Sequence, residues 1–430
     1  MITSPAWSGQ RYAVLGLARS GLATVRALAA AGAHVVAWDS NPEAREAAEA
    51  IDGVIVHDIA ELTLTGAAGL VVSPGVPLNT HPLAAKARAE GVPIIGDIEL
   101  FAQARATLPP HKVVGVTGTN GKSTTTALAA HILETAGVPL RMGGNIGLPI
   151  LGADPLPDGG VYVLELSSYQ IDLAQTLDCD VAVLLNITPD HLDRYDGFEA
   201  YAASKARLFQ MQSPTHEAVI GIGDAPSAQI ARSLSARAEH LTKIAPGVCM
   251  DQSRWPSLQG PHNAQNALAA IAVAQALGVN EADIDRGLAS FTGLPHRMEK
   301  VAEINGVAFV NDSKATNPES AAPALAAFPR VHWIVGGKGK GEDLDACTPH
   351  FGHVVRAYTI GASGPVFARA LDGKVPVEQA ETLGAAVASA ARQALPGETV
   401  LLSPAAASFD QFRDYEHRGE AFRNAVGALS

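Results

Sequence analysis

The chain has 430 residues, 47% of them hydrophobic and 17% charged, a balance that suits a globular protein of about three domains and excludes a disordered or fibrous chain. Its 31 basic and 43 acidic residues leave a formal net charge of −12. That argues against non-specific nucleic-acid binding, which needs Lys/Arg patches to meet phosphate backbones. The three cysteines (Cys179, Cys249 and Cys347) are scattered, so neither a disulfide framework nor a cysteine-rich zinc site is expected. No apolar run approaches the ~18 residues of a membrane span, and Arg11, Arg19 and Arg26 break up any signal peptide. The expectation is a cytoplasmic protein with no membrane span.

In chain order, short β-branched runs alternate with Ala/Leu-rich helical stretches, which predicts α/β layers with mostly parallel sheets. The first unit spans residues 1–97. It opens with a strand at Tyr12–Leu15, a glycine turn at Gly16–Gly21 and an Ala-rich helix. A strand at Ala33–Trp38 then ends at Asp39, and Leu70–Val72 runs into Ser73-Pro74-Gly75. Gly16-Leu-Ala-Arg-Ser-Gly21 with Asp39 has the spacing of a dinucleotide fingerprint, but Ala18 stands where its middle glycine belongs. The second unit spans 98–293, with strands at Val113–Val116, Val161–Leu166 and Val181–Asn186 and a helix around Asn263–Leu277. The third spans 294–430. It begins with a hairpin whose Asn305-Gly306 predicts a type I′ turn, followed by strands at Val331–Val335, Val355–Ile360 and Thr399–Leu402. The predicted architecture is a Rossmann-like N-terminal domain, a central P-loop ATPase and a Rossmann-like C-terminal domain.

The most informative stretch is Gly115-Val-Thr-Gly-Thr-Asn-Gly-Lys-Ser-Thr124, set between a strand and a helix predicted over Thr124–Ala136. Glycine-rich backbone N–H groups and a helix N-terminus suit phosphate oxygens. Lys122 is placed to reach the β/γ-phosphates and Ser123 to ligate Mg²⁺. Five residues separate Gly115 from Gly121 instead of the usual four, so this is a variant loop. Glu165 lies in an apolar strand and needs a partner, which a metal ion or a salt bridge supplies. Taken alone, His191 reads as a loop histidine and Lys205 as a solvated residue on a helix. Ser408 reads as the cap of a helix starting near Phe409, and Lys340 as part of a glycine loop.

Several elements occur in one order. The loop is followed by Leu164-Glu-Leu-Ser-Ser-Tyr-Gln170, Asp190-His-Leu-Asp-Arg-Tyr195, Lys205 and His262-Asn263…Asn266. Next come His296-Arg-Met-Glu299, Asn311-Asp-Ser-Lys-Ala-Thr-Asn317, Gly336-Gly-Lys-Gly-Lys-Gly341 and Ser403-Pro-Ala-Ala-Ala-Ser-Phe-Asp410. Over essentially its whole length the chain resembles the Mur ligase family of peptidoglycan synthesis, and its third-domain segments resemble those of D-glutamate-adding members. The resemblance implies ATP-dependent ligation of D-glutamate to UDP-N-acetylmuramoyl-L-alanine through an acyl phosphate, by a monomer. It implies two Mg²⁺ ions held by Ser123, Glu165, His191 and a CO₂-carbamylated Lys205. Lys122, Glu165, His191 and Lys205 are then the catalytic set. ATP contacts fall on Gly118, Thr119, Asn120, Gly121, Lys122, Ser123, Thr124, Asn266, Arg297 and Asp312. The UDP-sugar falls on Leu17, Ala18, Arg19, Asp39, Ser40, Ser73, Pro74, Gly75, Asn145 and His191, and D-glutamate on Lys314, Thr316, Lys340, Ser408, Phe409 and Tyr415. Lys338 stands where related ligases often carry an acidic residue, which adds a second lysine to the candidate glutamate contacts. The absence of an Asp-Asn-Pro-Arg-type segment argues against a diamino-acid substrate.

Overall fold

A computed structural model describes every residue except 246, 248, 249, 340, 342 and 430, so Cys249 and Lys340 lie outside the described residues. The chain divides into two compact units. One comprises residues 1–248 with 265–288, the other 249–264 with 289–430.

The first unit holds two parallel sheets. Strands β1 (Arg11–Leu15), β2 (His34–Trp38), β3 (Val54–Val56), β4 (Gly69–Val72) and β5 (Ile94–Ile95) run in the order β3-β2-β1-β4-β5. Strand order reverses between β1 and β4, and open α/β sheets bind ligands outside the carboxyl ends at such a switch point. The loops there are Gly16–Gly21 and Ser73-Pro74-Gly75. The second sheet comprises β6 (His111–Thr117), β7 (Leu140–Gly144), β8 (Gly160–Glu165), β9 (Val181–Leu184), β10 (Glu217–Gly221) and β11 (Leu241–Ile244), ordered β11-β10-β9-β6-β8-β7. Strand β6 is central, with β8 on one side and β9 on the other. Both β8 and β9 are buried at every position, which explains their continuous apolar reading. One apolar cluster runs from Trp7 and Val25 through Phe101 in the helix Asp97–Ala104 to Tyr162 and Leu208. The two sheets therefore share a core.

The second unit holds β12 (Glu299–Ile304), β13 (Val307–Asn311), β14 (Val331–Gly336), β15 (Val354–Ile360), β16 (Val377–Glu381) and β17 (Thr399–Leu402), ordered β12-β13-β17-β14-β15-β16. Among the described residues only the β12–β13 strand pair of this sheet is antiparallel. Its turn places Asn305 at φ 51° and Gly306 at φ 77°, the two positive φ values a type I′ turn demands. Aliphatic and aromatic side chains cover both faces of the sheet, with Trp333 and Leu401 on one and Phe309 and Tyr358 on the other.

Two sequence expectations change. The helix after the phosphate loop starts at Lys122, not Thr124, because Gly121 takes φ 86° and turns the chain into it. No helix begins at Phe409. Residues 408–414 form turns, and the helix Tyr415–Gly427 is capped by the Asp414 carboxylate, which accepts from the N–H of His417. Ser408 is therefore not a helix cap. Among the described residues no helix is long and apolar enough to cross a membrane.

Candidate active site

The phosphate loop leaves the carboxyl end of β6 as Gly118-Thr119-Asn120-Gly121 and enters the helix Lys122–Thr135. Both glycines are required. Gly118 has φ 152°, and a Cβ on Gly121 would meet Asn266 Oδ1 at 2.3 Å. Asn266 Oδ1 itself accepts from Thr125 Oγ1 at 3.2 Å, so Asn266 abuts the loop where the sequence motif had only suggested a nucleotide contact. The loop is pinned to the chain after β9. Thr119 N donates to Asn186 O at 2.9 Å, Asn120 N to Asn186 Oδ1 at 2.9 Å, and Thr119 Oγ1 to Thr188 O at 3.1 Å. Ser123 is buried at the second position of the helix, and Thr124 is half-buried beside it.

Two lysines converge on one carbonyl. Lys122 Nζ donates to Gly118 O at 2.9 Å and to Thr119 O at 2.8 Å, while Lys205 Nζ donates to Gly118 O at 2.9 Å. Lys205 sits on the helix Gly197–Met211 at 1% exposure, its ammonium also 4.8 Å from the Tyr201 ring centroid. The solvated-face reading of Lys205 is overturned. Burial, reinforced by the Lys122 charge, holds its pKa well below the usual lysine range, with Asp190 and Asp172 opposing.

Glu165 ends β8, whose register pairs it with Val116 on β6. It is 1% exposed. Its Oε1 accepts from Asn145 Nδ2 at 2.9 Å, while Oε2 is buried without a hydrogen-bond partner. A buried anionic oxygen left open in this way fits a divalent cation. Among the described residues no group of three or more His, Cys, Asp or Glu is placed to hold a metal. His191 occupies a tight turn at φ 55°, its Nε2 3.4 Å from Asp190 Oδ2 and its ring 5.2 Å from that of Tyr169.

At the switch point of the first sheet, Asp39 Oδ2 accepts from Leu17 N at 2.6 Å and Ser73 Oγ donates to Gly16 O at 2.8 Å. These contacts bind the β1, β2 and β4 loops together. Gly21 is obligatory there, since a Cβ would lie 1.9 Å from Gly16 O. Ala18, Ser40 and Gly75 are exposed, and Pro74 is half-buried. The guanidinium of exposed Arg19 donates to Gly147 O at 2.9 Å, in the segment that carries Asn145.

In the second unit, Asp312 follows β13 and is buried. Its Oδ2 accepts from Ser403 Oγ at 2.8 Å and its Oδ1 from Met298 N at 3.2 Å. Burial pushes its pKa up to about 7 against the lowering effect of Ser403 and Arg297. Arg297 lies between His296 at φ 62° and Met298 at φ 48°, a strained turn of the kind kept where geometry matters. The Lys314 ammonium is 3.9 Å from the Tyr415 ring centroid. Ser408 is buried, Thr316 half-buried and Phe409 69% exposed. Sequence reading missed Arg418. It is 1% exposed and donates to Ser313 O at 2.8 Å, Ser313 Oγ at 3.0 Å and Ala406 O at 3.0 Å, tying the 312–316 loop to the loop that follows β17. Its burial pulls its pKa down to about 10. An arginine within an ordinary amphipathic helix gives no sequence signal for this.

A strand–glycine loop–helix unit with two converging lysines, in a chain of three α/β sheets, is the frame of a phosphate-handling enzyme, and the chain belongs to the Mur ligase family. Residues 116–252 match the Mur ligase middle domain, 296–406 the Mur ligase glutamate ligase domain, and 10–96 the Mur ligase MurD-like N-terminal domain. The chain is 62% identical over 431 residues to the UDP-N-acetylmuramoylalanine–D-glutamate ligase of Novosphingobium aromaticivorans, covering 100% of this chain and 97% of that one. It is also 62% identical over 436 residues to the ligase of the same name from Sphingopyxis alaskensis, with full coverage of both. Among solved structures, the MurF ligase of Thermotoga maritima in complex with ADP superposes with a TM-score of 0.63 at 16% identity, covering 98% of this chain and 99% of that one. The UDP-N-acetylmuramate-alanine ligase MurC of the same organism gives 0.59 at 15%, covering 98% and 100%. These two likenesses concern the fold.

Proposed function

We propose that the chain joins D-glutamate to UDP-N-acetylmuramoyl-L-alanine, converting ATP to ADP and phosphate, in the synthesis of peptidoglycan precursors. The observation that carries the chemistry is the pair Lys122 and Lys205 on the Gly118 carbonyl, with the open Glu165 oxygen on the neighbouring strand. A carboxylate is a poor acyl donor because its oxygen leaves badly. Transfer of the γ-phosphoryl group to the L-alanyl carboxylate turns that oxygen into a good leaving group. The D-glutamate amine then attacks the acyl carbon and phosphate departs. Both reactants are anionic, so neutralising charge is the main task of the site.

The residues divide as follows. The backbone of Gly118, Thr119, Asn120 and Gly121 cradles the phosphates, Lys122 meets the γ-phosphoryl oxygens, and Ser123, Thr124, Asn266, Arg297 and Asp312 complete the ATP contacts. Ser123, Glu165, His191 and Lys205 are the residues to hold Mg²⁺, which supplies charge neutralisation when bound. Burial and the neighbouring Lys122 charge disfavour the protonated form of Lys205, and the deprotonated amine can add CO₂ with loss of one proton to leave a carbamate anion. That converts an unfavourable cation beside Lys122 into a favourable anion. Leu17, Ala18, Arg19, Asp39, Ser40, Ser73, Pro74, Gly75, Asn145 and His191 receive the UDP-sugar. Lys314, Thr316, Lys340, Ser408, Phe409 and Tyr415 receive D-glutamate, where lysines suit a dicarboxylate. On this reading residues 1–97, 98–293 and 294–430 serve the UDP-sugar, ATP and the amino acid in turn, in a cytoplasmic monomer with no nucleic-acid partner.

The test is phosphate release from Mg·ATP with UDP-N-acetylmuramoyl-L-alanine and, in turn, D-glutamate, L-glutamate, L-alanine or meso-diaminopimelate. Release with D-glutamate alone, matched by ligated product, is expected. Release with another amino acid overturns the pocket assignment.

A further inference from the structure

Arg194 stands in Asp190-His-Leu-Asp-Arg-Tyr195, outside the residues assigned to nucleotide, sugar or amino acid. Its side chain leaves the second sheet's loop and reaches the first sheet's ligand loop. Nη2 donates to Val76 O at 2.7 Å, and longer contacts of 3.5 and 3.4 Å run to Pro74 O and Gly75 O. The guanidinium lies 4.4 Å from the Tyr169 ring centroid, and Tyr169 stacks on Tyr195 at 5.9 Å. The backbone N–H of Arg194 donates to His191 O at 2.9 Å, closing the turn that holds His191 at positive φ. One residue therefore grips the Ser73-Pro74-Gly75 turn with its side chain and the His191 turn with its backbone.

The chemistry of the grip favours arginine. A planar fork spreads its N–H donors over a run of successive carbonyls while its flat face stacks on an aromatic ring, and an ammonium has no such plane. A cleft of about 530 Å³ is lined by Arg194 together with Pro74, Val76, Tyr169 and Tyr195. Asn79 lines the same cleft and makes a second link across this pair of sheets, Asn79 Nδ2 to Asp193 O at 3.0 Å, but that exposed bond touches none of the Ser73–Val76 carbonyls.

We infer that Arg194 is a positioning residue for the UDP-sugar: it fixes the Ser73-Pro74-Gly75 turn against the His191 turn, so that both present preformed contacts to the muramoyl-alanyl nucleotide. The inference rests on the assignment of those two turns to the UDP-sugar site.

Arg194→Met keeps much of the stem that covers Tyr169 and removes every donor. Arg194→Lys keeps the charge and loses the fork. For Met, KM for UDP-N-acetylmuramoyl-L-alanine should rise about ten-fold or more, the equivalent of one well-made charged hydrogen bond. KM for ATP and kcat at saturating UDP-sugar should stay within about three-fold of wild type. Lys should recover only part of the loss. Asn79→Ala should change KM for the UDP-sugar less than two-fold, and thermal melts should show both arginine variants folded. Two results overturn the inference: unchanged KM for the UDP-sugar in Arg194→Met, or an equal rise in KM for ATP, which marks general loosening. If Arg194→Met does not fold, titration of UDP-sugar into folded Arg194→Lys decides the matter, and wild-type affinity there overturns it. A wild-type protein that does not bind UDP-N-acetylmuramoyl-L-alanine refutes the site assignment instead.

Discussion

Replacing Glu165 by Gln should stabilise the protein and disable it together. The substitution keeps the shape of the side chain and removes its charge. Glu165 is 1% exposed, Oε1 accepts from Asn145, and Oε2 has no partner. A buried polar atom left unpaired costs roughly 1–3 kcal/mol, and a charged one costs more than a neutral one. Gln can keep its carbonyl on Asn145 Nδ2 and put a neutral amide where Oε2 lies, so the expected gain is about 1 kcal/mol. In a unit of this size that is a rise of about 2–4 °C in melting temperature. The assay is a thermal melt in EDTA without nucleotide, run beside the same melt in Mg·ATP. In EDTA the variant should melt higher. In Mg·ATP the wild type should gain more by ligand binding and the order should narrow or invert, while phosphate release by the variant is lost. A variant that melts below wild type in EDTA would refute the reasoning, because it would mean that the native fold itself requires the second carboxylate oxygen.

Gly121→Ala forces a residue at φ 86° to carry a Cβ 2.3 Å from Asn266 Oδ1. Strain of ~1–2 kcal/mol plus loss of the Thr125–Asn266 hydrogen bond at ~1 kcal/mol should lower the melting temperature and ATP affinity together, and an unchanged ATP titration sinks this account. Lys205 is depressed from its ordinary 10.5, so the folded state binds fewer protons there than the unfolded chain and stability rises with pH toward that value. In CO₂-free buffer, Lys205→Met should therefore gain most over wild type near neutral pH and progressively less toward pH 10.5; a gain independent of pH contradicts the cause assigned. Lys205→Ala, assayed for ligation, should be partly rescued by a small carboxylic acid. Asp312 behaves in the opposite sense. Raised from 3.8 to about 7, it contributes stability fully below 3.8 and loses it as pH rises through 7. Asp312→Asn should match wild type in melting temperature near pH 4 and exceed it near pH 8, and parallel curves across that range count against the burial argument.

The sheets and the phosphate loop were legible because their signals are local. Buried parallel strands read as apolar runs, the Asn305-Gly306 dipeptide specifies its own turn, and Gly-Lys-Ser after a strand specifies a phosphate-binding helix start. Contacts over long sequence separations were not legible. Lys205 belongs to a helix of unremarkable pattern, and only tertiary packing buries it against Gly118, 87 residues away in sequence. Arg418 and Arg194 act the same way: each is an ordinary helix or loop arginine until the fold brings distant carbonyls to its fork. The Ser408 cap was a fair local inference that failed because Asp414, another good cap, lies six residues further on and starts the helix there. The site residues themselves came from the order of motifs along the chain, which no local rule supplies.

The two carbonyls that hold the Lys122 ammonium make the phosphate loop its own first ligand. Any incoming anion competes with an intramolecular partner that is always present at high effective concentration. A singly bridged anion has little with which to displace it. A nucleotide that engages the loop N–H groups along several phosphates releases the ammonium as part of a larger exchange. On the proposed ATP assignment, the loop would favour ligands that engage several of its N–H groups at once. On the same assignment, these carbonyls would take the ammonium back once the terminal phosphoryl group has moved to the acceptor.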